Sequence, residues 1–106
     1  MSLECTSKYF SARLQSGEVL NFEALSFSEE VTAKQVLEEF SRRGLCRLTS
    51  TEESMFFHYC RQGIEIPYII ILKGRHATFV GGRGTEYRAF SGKYGVRCKF
   101  LGRCGE

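Results

Sequence analysis

Pro67 is the only proline in this chain, and it stands at the head of the apolar run Tyr68-Ile69-Ile70-Ile71-Leu72, which stops at Lys73-Gly74. Proline has no backbone N–H and is excluded from strand interiors, so here it marks either a strand start or a cis turn. The continuous β-branched stretch Ile69 to Leu72 then reads as a strand buried on both faces. Ala77 to Val80 is expected to pair back beside it after the Lys73-Gly74-Arg75 turn.

At 106 residues, with 42% apolar and 13% aromatic side chains, the chain supports one domain around a single core. No stretch approaches the ~20 apolar residues of a membrane span, and Met1 to Lys8 lacks the basic-then-apolar layout of a signal peptide. The expectation is a soluble, cytoplasmic protein. Its cysteines are Cys5, Cys46, Cys60, Cys98 and Cys104, and an odd number without a secretory signal argues for free thiols rather than a disulfide framework.

Charge is segregated along the chain. Residues 73–106 carry Lys73, Arg75, Arg83, Arg88, Lys93, Arg97, Lys99 and Arg103 against only Glu86 and Glu106, so the acidic excess lies in the first 72 residues. Eight of the 11 glycines fall in the same last third, interleaved with Phe79, Tyr87, Phe90, Tyr94 and Phe100. That composition reads as a mobile basic tail, set at residues 95–106, or as part of a binding surface.

The clearest regular element follows Ser28. Ser28 can cap a helix with Glu29 and Glu30 in its first turn, where carboxylates favour the positive end of the dipole. Ala33, Val36, Leu37 and Phe40 form one apolar stripe, Glu30/Lys34, Glu38/Arg42 and Glu39/Arg43 are i,i+4 pairs, and Gly44 fits the stop. The spacing predicts a helix over 29–43. Two segments stay open. Tyr9 to Phe27 reads as a β-hairpin around Gln15-Ser16-Gly17-Glu18, or as a short helix carrying Phe10 and Leu14 that Gly17 ends, followed by a strand. Cys46 to Thr49 looks extended, and Thr51 to Gln62 reads as a helix capped by Ser50 or Thr51, or as a strand through Met55-Phe56-Phe57-His58-Tyr59.

With the helical options the order resembles the thioredoxin-like superfamily, an α/β fold whose central mixed sheet is flanked by helices. The carrying residues are Val19-Leu20-Asn21-Phe22-Glu23-Ala24 as the central strand, Val36 to Phe40 as the end of the long helix, and Ile64-Glu65-Ile66-Pro67-Tyr68, Lys73-Gly74 and Val80-Gly81-Gly82 as the cis-proline strand, hairpin turn and final strand. Thr85 to Phe90 would open the terminal helix, and the domain would span 1–94. Where that family places its Cys-x-x-Cys pair, this chain has Phe27-Ser28-Glu29-Glu30, and the family's buried acid falls on Asn21. Thiol-disulfide exchange needs a thiolate at a helix N-terminus with a resolving thiol one turn away, which Phe27 and Glu30 cannot supply. The resemblance therefore implies a redox-inactive module with no cofactor. It would bind a peptide in a groove formed by Phe27, Ser28, Glu29, Ile66, Pro67, Tyr68 and Gly81, beside a cis Ile66–Pro67 bond. A plain structural reading has Pro67 starting a strand and Phe27 in the core.

With the hairpin option, residues 10–72 resemble the longin domains of vesicle-trafficking proteins, an α+β fold with an antiparallel sheet, and the implied role is a trafficking adaptor. No SNARE heptads follow. A third reading takes Arg75, Arg83, Arg88, Lys93, Arg97 and Lys99 as a basic contact surface for nucleic acid, with the interleaved aromatics available for stacking. Catalytic and metal readings find no pattern: His58, His76, Cys98 and Cys104 lack ligand spacing, and Gly81-Gly82-Arg83-Gly84 has no following Lys-Ser/Thr.

Overall fold

The computed structural model describes residues 4–60, 69–73, 75–81 and 84–105. Its first element settles the Tyr9 to Phe27 ambiguity: β1 (Cys5–Arg13) and β2 (Val19–Phe27) form an antiparallel hairpin that sets Phe10 opposite Phe22 and Ala12 opposite Leu20. The turn closes through hydrogen bonds between Leu14 and Glu18 and from Gly17 N–H to the Leu14 carbonyl, with Gly17 at φ +90°. The short-helix option for Phe10 to Gly17 is thereby corrected. A helix there would bury one narrow stripe. The hairpin instead buries Ala12, Phe22 and Ala24 on one face and Leu25 and Phe27 on the other.

The long helix, α1 (Ala33–Arg43), starts later than the sequence suggests. Thr32 is its N-cap: Thr32 N–H donates to Gln35 Oε1 (2.8 Å), and Gln35 N–H donates to Thr32 Oγ1 (3.1 Å). Val31 and Thr32 form a two-residue strand, β3 (Val31–Thr32), paired with β8 (Lys93–Tyr94), and Val31 is 1% exposed. Burying Val31 needs extended backbone, so the Ser28 cap loses and Glu29 and Glu30 stay in an exposed turn. Gly44 ends the helix at φ 70°, as expected. The extended segment after it is β4 (Leu45–Cys46).

α2 (Ser50–Cys60) is a helix, which corrects the strand through Met55 to Tyr59 that the longin reading needs. A capping box again sets its start: Thr49 N–H donates to Glu52 Oε1 and Glu52 N–H to Thr49 Oγ1. Phe56 is fully buried, edge-on to Phe10 and Phe22.

β5 (Ile69–Lys73) and β6 (His76–Gly81) form the expected hairpin, and Ile69 to Leu72 are buried on both faces. β7 (Gly84–Ala89) then adds antiparallel to β6, where the thioredoxin-like order calls for a helix. Thr85-Glu86-Tyr87-Arg88-Ala89 offers no apolar helical stripe to bury. The largest correction concerns residues 95–106. They are no tail, because β9 (Lys99–Cys104) runs through the middle of the sheet, antiparallel to β2 and β4 and parallel to β5. The sheet order is β1-β2-β9-β5-β6-β7, with β4 also on β9.

Among the described residues the result is an α/β protein with a mixed sheet and two helices, built mostly of strands. One core layer packs Val36 and Phe40 of α1 on Leu25, Phe27, Ile70, Leu72 and Phe100. The other packs Phe56 of α2 on Phe22, Ala24, Ile69, Ile71 and Leu101. Among the described residues no helix is long and apolar enough to cross a membrane.

Candidate functional site

The expected peptide groove is only partly within view. Ile66, Pro67 and Tyr68, and with them the Ile66–Pro67 bond, lie outside the described residues. Phe27 is a core residue, 6% exposed and edge-on to Phe100 at 5.7 Å between ring centres. Ser28 and Glu29 are exposed in the turn after β2, and Gly81 ends β6 opposite Gly84. The register Ser26–Lys99–Ile69–Val80 places Phe27 and Gly81 at the same end of the sheet. Three strand steps separate them, roughly 14 Å. Strand addition along β5 finds no room, since Ile69 to Ile71 pair with β9 on one side and with β6 on the other.

The basic residues do not converge either. Register puts Lys99 on the α2 side of the sheet, whereas the Arg88 guanidinium lies over the Phe79 ring at 4.2 Å on the α1 side. Lys93 sits in β8, Arg97 in the turn before β9, and Arg75 at the opposite end of the sheet in the β5–β6 turn. Arg83 is outside the described residues. Two further cations of the basic third are ion-paired to the acidic part of the chain, Lys73 to Glu53 (3.6 Å) and Arg103 to Glu52 (2.5 Å), where they tie α2 to the sheet. The aromatics mostly stack on one another: Phe90 on Tyr94, Tyr94 on Phe79, and both Phe90 and Tyr94 edge-on to Phe100. They fix the 90–98 segment against the α1 side of the sheet.

A charged network on that same side has a structural logic. Arg43 donates from Nε to Glu39 (2.6 Å) and from Nη1 to Glu23 (2.8 Å), and Nη2 reaches the Cys5 carbonyl (3.3 Å). Arg42 also bonds Glu39. Glu23 and Glu39 are 5% and 9% exposed, so two buried carboxylates share one guanidinium, whose own proton affinity rises chiefly through the Glu39 hydrogen bond. This clamps the last turn of α1 to the β1–β2 hairpin.

A groove of about 100 Å³ opens on the α2 side among Thr6, Lys8, Ser26, Lys99, Phe56 and Ile69. Small-molecule sites run from roughly 300 Å³ upward, so this groove is smaller than those. Cys5, Cys46, Cys98 and Cys104 are free thiols. Burial raises the pKa of the Cys98, Cys104 and Cys5 thiols, the last against the pull of Arg43, so they stand as neutral thiols rather than nucleophilic thiolates. Among the described residues no three His, Cys, Asp or Glu side chains group as metal ligands.

Among the described residues, what the fold leaves open is β7. It is the last strand of the sheet, and all six of its residues are exposed. Phe90 N–H donates to the Arg75 carbonyl (3.4 Å), which sets the alternation of the ladder. Gly84, Glu86 and Arg88 direct their backbone groups to β6, and Thr85, Tyr87 and Ala89 turn theirs outward. Side chains alternate as well. Tyr87 stacks on His76 with Lys73 near its ring, while Glu86 and Arg88 share the other face, 4.0 Å apart. The other end strand, β1, has one face under α2 and its Cys5 carbonyl taken by Arg43. It also carries Lys8, and lysine is the side chain most used to discourage edge pairing. β7 has no lysine and no proline.

The thioredoxin-like resemblance has Thr85 to Phe90 opening the terminal helix. The signal for a strand was present in Thr85 and Tyr87, a β-branched and an aromatic residue two apart. No family model, curated protein or solved structure matches this chain.

Proposed function

We propose that this protein is a non-catalytic protein- or peptide-binding module that receives an extended segment by strand addition along β7. The expected binding role is kept, and the dock moves from the groove beside Pro67 to the open edge of the sheet. The observation that carries it is the six-residue terminal strand, exposed on both faces and with the outward N–H and C=O groups of Thr85, Tyr87 and Ala89 available to a partner. The groove on the α2 side is small, and burial raises the pKa of the Cys98 and Cys104 thiols, which makes them poor nucleophiles at neutral pH. Of the two family resemblances, the thioredoxin-like one shares the helix at 50–60 and the mixed sheet, and the longin-like one shares the hairpin at 5–27.

The test is selection of binders from a phage-displayed library of linear peptides, followed by titration against Ala89→Pro. Proline there removes an outward N–H and leaves the β6 ladder whole. Selected peptides are expected to lose at least tenfold in affinity for Ala89→Pro while its thermal unfolding matches the parent. Peptides that bind both forms equally would refute the β7 dock.

A further inference from the structure

The reading of β7 as a docking edge leads to a particular occupant, because the strand is complementary to itself. Glu86 and Arg88 flank Tyr87 on one face and carry opposite charges. In an antiparallel pair centred on Tyr87, residue 86 of one copy falls opposite residue 88 of the other, and residue 85 opposite residue 89. Directly opposed residues share a face. Each Glu86 would therefore meet the Arg88 of the second copy, twice per pair, about the two-fold axis.

The backbone agrees with that register. Thr85, Tyr87 and Ala89 are the residues whose N–H and C=O groups point outward, so Tyr87 meeting Tyr87 and Thr85 meeting Ala89 become the hydrogen-bonded positions. Glu86 and Arg88 then fall at the non-hydrogen-bonded positions, where Cα atoms approach to about 4.5 Å and side chains are closest. A register shifted by two residues would set Glu86 or Arg88 against an uncharged residue. Within one chain their contact is marginal, at 4.0 Å with both side chains more than half exposed, so little is given up on exchange for the intermolecular pairs. We infer that the segment β7 takes is β7 of a second copy of this chain, joined antiparallel into a continuous two-fold sheet by reciprocal Glu86–Arg88 pairs.

Six residues of strand extend only about 20 Å, so the contact falls in the small, transient class and forms at micromolar rather than nanomolar protein. Sedimentation velocity of the full chain at about 100 μM is the test, with Glu86→Arg and Arg88→Glu beside the parent. The parent is expected to sediment at twice its 12.1 kDa chain mass. Each single variant faces like charge across the axis and is expected to run at single mass. Their equimolar mixture sets two arginines of one chain against two glutamates of the other, and is expected to recover the doubled mass.

A misfolded variant could not produce that recovery, and Ala89→Pro provides a second disruption that leaves charge untouched. A parent that stays single at this concentration, or a pair that survives both charge reversals, would overturn the inference. The dock itself is judged separately: peptides that bind the parent but not Ala89→Pro uphold the open edge even if the parent is single.

Discussion

Single side chains hold this fold at two crowded points. A Cβ on Gly102 would lie 2.7 Å from Phe40 Cε2 and 3.2 Å from Leu45 Cβ. Phe40 is 3% exposed and has nowhere to retreat. Gly102→Ala is therefore expected to destabilise by about 1–3 kcal/mol in urea unfolding. Arg43→Ala strands Glu23 as a buried unpaired carboxylate and leaves Glu39 only the exposed Arg42, and should cost about 3 kcal/mol by the same measurement, whereas Arg42→Ala, whose parent side chain is 70% exposed, should cost under about 1. The thiols give a pH signature. Cys98 and Cys104 have their folded pKa raised by burial, so the unfolded chain ionises first as pH rises. Their contribution to stability is complete below the ordinary thiol pKa and is lost as pH climbs through the raised folded value. Alkylation by iodoacetamide at neutral pH should run slower than for free cysteine and should speed up on unfolding.

Elements show which local signals were legible. The β-branched run at 69–72 announced a strand buried on both faces, and the Val36–Phe40 stripe with Gly44 announced α1 and its end, because each of those signals is local. The start of α1 was not legible in the same way. Sequence offers Ser28 as the cap, and Thr32 takes the place because Val31 is needed in the core, a tertiary demand that no capping pattern encodes. Thr32→Ala should accordingly lose about 1 kcal/mol, while Ser28→Ala should leave the unfolding midpoint nearly unchanged. β9 was hidden for a related reason. Its Gly102, which reads as a loop residue, is the space into which Phe40 packs. β7 was hidden because an edge strand exposed on both faces has no buried alternation to display.

At the scale of the whole molecule, the segregated charge reads differently once folded. Lys73 and Arg103 neutralise Glu53 and Glu52 across the chain, and Lys99 and Arg88 lie on opposite sides of the sheet. The Phe79, Phe90, Tyr94 and Phe100 rings that sequence offers for stacking on bases are occupied with each other. At β7 the mixed sheet presents outward an open row of backbone groups. Amide hydrogen exchange resolved by residue tests that most directly. In dilute protein the Thr85, Tyr87 and Ala89 amides should exchange fast and the Glu86 and Arg88 amides slowly, and raising the concentration to about 100 μM should protect Thr85, Tyr87 and Ala89 selectively. Equal protection along 84–89 in dilute protein, or fast exchange at Tyr87 whatever the concentration, would contradict the account.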